Sequence, residues 1–265
     1  MRLEVIRTID LSYTYPDGTQ ALRDINFVAE RGECIAVLGP NGAGKSTFLQ
    51  LLNGLLNPTE GKILLKGMEI KDRRRYVGLV FQNPEDQLIE LTVGDDVAYG
   101  PLNMGLDEET VKRRVKEGLA AVNMEGQEER PIHTLSYGEK KRTAIAGVLA
   151  MRPEILALDE PTLGLDPRNA SDMLKLLKKL KGDSVTIVVA THDVEAVPLF
   201  ADRIYVLNAG RTCLAGTPHE VFSKKENIRQ CSLRLPRIAH LFEILGKRDL
   251  PLTIGEAKRM LEGER

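Results

Sequence analysis

The residues Gly39-Pro40-Asn41-Gly42-Ala43-Gly44-Lys45-Ser46 carry the spacing G-x-x-x-x-G-K-S, which is the pattern of a loop that wraps phosphate groups. Glycines let successive backbone N–H groups turn inward around an anion. A helix that follows such a loop presents its positive end to the same charge. Lys45 adds a mobile full charge for the β- and γ-phosphates, and the Ser46 hydroxyl can ligate Mg²⁺; Thr47 completes the stretch expected to touch a nucleotide. The competing explanation is a chance match in a glycine-rich turn, and an apolar run before the loop and a helical pattern after it argue against chance.

Two further places could do chemistry. Asp159-Glu160 follows the apolar run Ile155-Leu156-Ala157-Leu158. An acid at Asp159 can hold Mg²⁺ opposite the phosphate loop, and the adjacent Glu160 carboxylate can polarise an attacking water. An acidic pair after a strand also looks like a helix cap, and only its place downstream of a phosphate loop favours the chemical reading. In Leu135-Ser136-Tyr137-Gly138-Glu139 the spacing Ser136-x-x-Glu139 is a capping box that starts a helix. Lys140, Lys141 and Arg142 would then fall in the first turn, where the helix dipole disfavours cations. A solvated face is the ordinary explanation of such a run; an external anion is the sharper one.

These residues need strands and helices to hold them. Tyr13-Thr14-Tyr15, the turn Pro16-Asp17-Gly18 and the run Ile25-Phe27-Val28 read as antiparallel strands. Cys34-Ile35-Ala36-Val37-Leu38 is continuously apolar, as a strand buried on both faces must be. It runs into the phosphate loop and a helix over about 45–52. Short strands are expected around Gly61–Gly67 and Tyr76–Phe81, with Arg73-Arg74-Arg75 as a solvated basic loop between them. Val111, Val115 and Leu119 mark a helix over about 107–122. Ile155–Leu158 and Val185–Ala190 are further buried strands, and Met173, Leu174, Leu176, Leu177 and Leu180 form an apolar helix face between them. Strands alternating with helices imply a mostly parallel sheet, whose ligands collect at the carboxyl ends of its strands. Beyond about Val221 the character changes: Ile238, Leu241, Phe242 and Leu245 recur at helical spacing, which leaves open a packing face within the chain or a contact between subunits.

Composition sets outer bounds. A chain of 265 residues suits one large α/β domain with a small appendage. A net charge of -1 gives no strongly basic surface for nucleic acid. Cys34, Cys213 and Cys231 are scattered, so reduced thiols are expected rather than a disulfide framework or zinc site. His133, His192, His219 and His240 are likewise dispersed. No run approaches the roughly 18 apolar residues of a membrane helix, and Met1-Arg2-Leu3-Glu4 does not begin like a signal peptide. A cytosolic chain that meets a membrane only through a partner is the expectation.

Leu135-Ser136-Tyr137-Gly138-Glu139 resembles the L-S-G-G-Q signature of ABC ATPases, with Tyr137 in place of a glycine and Glu139 in place of glutamine. The other parts follow in the family's order. Gln82 looks like the Q-loop glutamine, Leu163-Gly164-Leu165-Asp166 like the D-loop and Thr191-His192-Asp193 like the switch histidine. Tyr15 matches the aromatic that stacks on adenine, although Tyr13 competes for that role. The resemblance covers about residues 1–222, leaving 223–265 as a C-terminal helical extension.

The resemblance implies a P-loop NTPase fold of the ABC type: a mostly parallel core sheet, an antiparallel β subdomain, a helical subdomain bearing the signature, and the small extension. It implies ATP and Mg²⁺, with Ser46, Gln82 and Asp159 at the metal, Glu160 as catalytic base and His192 at the γ-phosphate. Two subunits, by preference two copies of this chain, would sandwich ATP between the phosphate loop of one and Ser136, Gly138 and Glu139 of the other, with Asp166 at the junction. The external anion before Lys140-Lys141-Arg142 would then be the partner's nucleotide. Gln82-Asn83-Pro84-Glu85-Asp86-Gln87, Asp96–Pro101 and Val197–Asp202 are similar to the ATPase of energy-coupling-factor importers, and Leu135–Gly138 followed by Lys140-Lys141-Arg142 is most similar to the cobalt or nickel branch. That implies a peripheral protein at the cytoplasmic face, under a transmembrane coupling protein and a separate substrate-binding membrane protein, with the extension helping to hold the dimer. A vitamin importer of the same type and a soluble, non-transporting ABC ATPase are the alternatives.

Overall fold

The computed structural model describes residues 3–182 and 185–263. In chain order the elements are β1 (Glu4–Thr14), β2 (Gln20–Glu30), β3 (Cys34–Leu38), α1 (Lys45–Asn53), β4 (Glu60–Leu65), β5 (Met68–Glu69), β6 (Val77–Val80), α2 (Val93–Asn103), α3 (Glu108–Ala121) and α4 (Tyr137–Ala150). They continue with β7 (Ile155–Asp159), α5 (Pro167–Gly182), β8 (Thr186–Thr191), α6 (Val197–Phe200), β9 (Arg203–Asn208), β10 (Arg211–Gly216), α7 (Pro218–Ser223), α8 (Lys225–Gln230), α9 (Arg237–Ile244) and α10 (Ile254–Leu261).

Every residue of β3, β7 and β8 is buried, which is why these segments read as unbroken apolar runs. They lie side by side in a sheet of order β10-β9-β3-β8-β7-β6, parallel except for the β9–β10 pair. Alternation splits their side chains between two cores. Ile35, Val37, Ala157, Val188 and Ala190 pack with Phe48, Leu49, Leu51 and Leu52 of α1 and with Leu22, Ile25 and Phe27 of β2. Cys34, Ala36, Leu38, Leu156, Leu158, Ile187 and Val189 face the opposite way, onto Ile145 and Val148 of α4 and Met173, Leu176 and Leu177 of α5. Each large side chain so buried contributes about 1.5–3 kcal/mol. A second, antiparallel sheet of order β2-β1-β4-β5 covers α1, and α2, α3 and α4 pack on one another as a helical unit.

Register fixes where the chemistry goes. Leu38 pairs with Thr191 and Asp159 with Ala190, so β3, β7 and β8 end level along one edge of the sheet. The phosphate loop, Glu160 and His192 begin there.

One expectation needs correction. Arg73 is not part of a solvated loop: it is buried in a 3-10 turn over Arg73–Arg75 and donates to the carbonyls of Leu51 and Leu56. Those carbonyls belong to the end of α1 and the turn after it, where acceptors are left over. The apolar stripe at α9 is only partly covered within the described residues. Ala239 and Phe242 are buried, whereas Leu241, Ile244 and Leu245 are exposed.

Candidate active site

The phosphate loop is shaped by close contacts that only glycine permits. Gly44 caps α1 with φ +96°, and a Cβ there would lie 2.6 Å from Leu22 Cδ2 and 2.7 Å from the Ala21 carbonyl. At Gly39 a Cβ would fall 2.3 Å from the Leu207 carbonyl. No side chain caps the N-terminus of α1 and no acid stands in its first turn, so its leading N–H groups are available to an anion. Lys45 is buried at 6% exposure. Its Nζ donates to the carbonyls of Gly39 (2.9 Å) and Pro40 (3.1 Å) and lies 3.7 Å from Glu160 Oε1.

Asp159 and Glu160 meet this loop from β7. Burial holds the Asp159 carboxyl above its ordinary range, while Ser46 hydrogen bonding and the Lys45 and Lys141 charges pull the other way and Glu160 adds to the rise. Asp159 Oδ1 is buried with no hydrogen-bond partner. A buried anionic oxygen left unpaired is costly, and beside the Ser46 hydroxyl it is a fitting oxygen donor for a hard divalent cation such as Mg²⁺. Glu160 adopts φ +45°, a left-handed conformation uncommon for a residue with a Cβ. Its carboxylate accepts from Thr191 Oγ1 (3.0 Å) on Oε2 and contacts His192 Nδ1 (2.7 Å) on Oε1. If the carboxylate is ionised it can only accept, and the imidazole then donates through Nδ1.

Around these groups opens a cleft of about 790 Å³ lined by Tyr15, Asn41, Gly42, Gly44, Lys45, Ser46, Thr47, Gln82, Asp159, Glu160 and His192, among others. Of the two tyrosines, Tyr15 faces the cleft and Tyr13 is buried behind it, ring to ring edge-on at 5.0 Å. The Tyr15 hydroxyl and Thr47 Oγ1 share a hydrogen bond of 2.8 Å. Gly39, Pro40 and Ala43 stand behind the lining: the first two supply carbonyls to Lys45 and Ala43 is buried.

Ser136, Gly138, Glu139 and Asp166 do not line the cleft. Ser136 caps α4 in a complete capping box with Glu139. Asp166 sits just before α5 and accepts from the Asn169 N–H (2.9 Å) and side-chain amide (2.6 Å). The described residues thus place Ser136, Gly138, Glu139 and Asp166 apart from the phosphate-loop cleft.

The family model described as ABC transporter matches residues 22–163, a span that includes the phosphate loop, Gln82, the Ser136 capping box and Asp159-Glu160. The chain belongs to the ABC transporter ATP-binding family. An energy-coupling factor transporter ATP-binding protein, EcfA, of Methanococcus maripaludis is 52% identical, covering 99% of this chain and 100% of that one. CbiO1 from Clostridium perfringens, described as part of the ABC transporter complex cbiONQ, superposes with a TM-score of 0.78 at 46% identity, over 91% of this chain and 99% of that one. An ATP-binding cassette solved as a dimer in a post-hydrolysis state with ADP and Pi gives a TM-score of 0.72 at 31% identity, covering 80% and 98%. The fold expected from the sequence, an ABC ATPase fold with parallel core and antiparallel sheet, is the fold found, and the chain is an ATPase of this family.

In this ABC ATPase each cation of the run after Ser136 has a partner within the chain. Lys140 pairs with Glu85 at 2.6 Å, Arg142 donates to Asn169 Oδ1, and Lys141 is buried on internal carbonyls. Thr191, beside His192 in the sequence, and Arg130 also take roles that the sequence does not assign. A threonine at a strand end carries no distinctive pattern. Arg130 reaches Glu139 with both guanidinium nitrogens, Nη1 at 2.6 Å and Nη2 at 3.3 Å; its only trace in the sequence is the unexpected acid at 139.

Proposed function

We propose that the cleft binds Mg·ATP and hydrolyses it with Glu160 as the base, and that two copies of the chain complete each other's sites. The observation that carries the first part is the holding of one carboxylate, Glu160, by Thr191, His192 and Lys45 directly beside the phosphate loop. In the proposed cycle Lys45 leaves the Gly39 and Pro40 carbonyls for the β- and γ-phosphates, which frees Glu160 to accept a proton from water. His192 orients that carboxylate from Nδ1 and faces the terminal phosphate. Tyr15 stacks on the base. Ser46, Asp159 and Gln82 would hold Mg²⁺, which would supply positive charge against that developing on the phosphates. Ser136, Gly138 and Glu139 at the start of α4 would close over the partner's ATP, with Asp166 at the junction. Their separation from the chain's own cleft supports this reading.

The chain then serves as the motor of an energy-coupling-factor importer, for cobalt or nickel ions by the form of the segment Leu135–Arg142 and the likeness to a subunit of a cbiONQ complex. No helix among the described residues is long and apolar enough to cross a membrane, so a transmembrane coupling protein and a substrate-binding membrane protein would be other chains. Ile89, Leu91, Tyr99, Leu102 and Met104 are exposed after Gln82, and Ile89, Tyr99 and Met104 among them line a groove of about 750 Å³. That surface suits a helix of the coupling protein, with this chain peripheral on the cytoplasmic side. Glu160→Gln tests the core of the proposal. Binding of a fluorescent ATP analogue should persist while phosphate release falls by about 10²–10⁴-fold; undiminished release would remove Glu160 from its role. Cobalt or nickel uptake by the reconstituted complex tests the cargo.

A further inference from the structure

Lys141 stands one turn into α4, yet only 2% of it is exposed. Its Nζ donates to three carbonyls of the loop after β7: Glu160 at 2.8 Å, Leu163 at 2.8 Å and Pro161 at 3.3 Å. An ammonium has three donors and no acceptor, so the group is used up on backbone. The cost of burying it is visible in its pKa, which burial lowers to about 8. An apolar side chain of similar length would fill the space without that cost, so packing alone does not account for a lysine here.

The three carbonyls converge because of the turn that Glu160 opens. Glu160 is left-handed at φ +45° and the Leu163 N–H folds back onto the Glu160 carbonyl at 3.2 Å. Glu160 is thus held at two ends: its carboxylate by Thr191 and His192, its carbonyl by Lys141. Without Lys141 the Pro161 carbonyl would lose its one hydrogen-bond partner among the described residues, and the left-handed turn would lose the charge that gathers its carbonyls.

We propose that Lys141 is a positioning residue that sets the backbone of Glu160, and so ties the hydrolytic carboxylate to the helix whose capped start faces a second subunit. The inference rests on the reading of Glu160 as the base. Lys141 does not line the cleft. A displacement of about 1 Å at the carboxylate is worth about 100-fold in rate, so the link acts on kcat and not on ATP binding.

The test compares the full-length wild type, Lys141→Met and Lys141→Arg by steady-state ATPase assay and by affinity for a fluorescent ATP analogue. Lys141→Met should lower kcat by about 10- to 100-fold while KM and analogue affinity stay within about twofold. Lys141→Arg, which keeps charge and donors, should recover most of the loss. A Lys141→Met enzyme with wild-type kcat would overturn the proposal, and so would a parallel loss of affinity and kcat that Lys141→Arg fails to relieve. If Lys141→Met does not fold, Lys141→Gln, which retains an N–H donor, is held to the same split between kcat and KM. Absence of turnover in the wild type, or full turnover in Glu160→Gln, would instead count against the proposed function itself.

Discussion

Replacing Arg130 by alanine should weaken ATP-driven pairing of two subunits, and restoring neutrality at residue 139 should reverse the effect. Glu139 Oε2 accepts from the Ser136 N–H and hydroxyl, both at 2.8 Å, and Arg130 grips the same carboxylate. Arg130 hydrogen bonding is the largest cause that holds the Glu139 carboxyl down at about 2. In the proposed sandwich this carboxylate lies near the terminal phosphate of the partner's ATP, and Arg130 cancels its charge. Two unit charges about 4 Å apart repel by about 1 kcal/mol in water and about 4 kcal/mol at the effective dielectric of a protein surface. Glu139 has 23% of its side chain exposed, which places the uncovered repulsion near 2 kcal/mol, or about 30-fold in association. The assay is sedimentation velocity in a Glu160→Gln background with Mg·ATP titrated in. Arg130→Ala should shift dimer formation by about 30-fold, less at high salt, and adding Glu139→Gln should bring it back to within about threefold. Unchanged dimerisation in Arg130→Ala, or no recovery in the double variant, would refute the charge argument.

The same pair predicts acid behaviour. The Glu139 carboxyl is lowered from 4.5 to about 2, so its contribution is complete above pH 4.5 and is lost as pH falls towards 2. Discounted for solvent screening, it is about 1–2 kcal/mol, and thermal unfolding should show Arg130→Ala losing less stability than the wild type over that window. At the phosphate loop, Gly44→Ala combines a left-handed conformation with a Cβ 2.6 Å from Leu22 Cδ2. It should cost about 2–4 kcal/mol, lower Tm by several degrees and weaken ATP binding. Gly42→Ala, with φ +79° and open space around the Cβ, should cost only about 1 kcal/mol.

What the sequence discloses follows from how local each signal is. β3, β7 and β8 are buried along their whole length, so each announces itself as an apolar run, and the phosphate loop is a contiguous pattern. The capping box spans four consecutive residues and appears in the structure as read. Arg73 and Lys141 were hidden for the opposite reason. Their acceptors are carbonyls contributed by segments 22 and 19 residues away, and no side-chain pattern marks where carbonyls converge. The left-handed turn at Glu160 is equally silent, because nothing in the letter Glu states its φ.

The first turn of α4 brings these strands of reasoning together. Its two departures from the family's signature, Tyr137 and Glu139, and its buried cation Lys141 all have partners within the chain. The Tyr137 ring lies against Gly164, where a Cβ would come to 3.0 Å, and stands 5.3 Å from Lys141 Nζ. Glu139 is matched by Arg130, and Lys141 by the Glu160–Leu163 carbonyls. The tyrosine at 137 thus fits the glycine at 164, the acid at 139 is matched by the arginine at 130, and exchanging any of the three singly for an apolar residue would leave a gap, a bare charge or an unpaired carbonyl. The start of α4, which in the proposed sandwich meets a second subunit, and the loop that carries Glu160 form one packed joint, so whatever moves one of them must move the other.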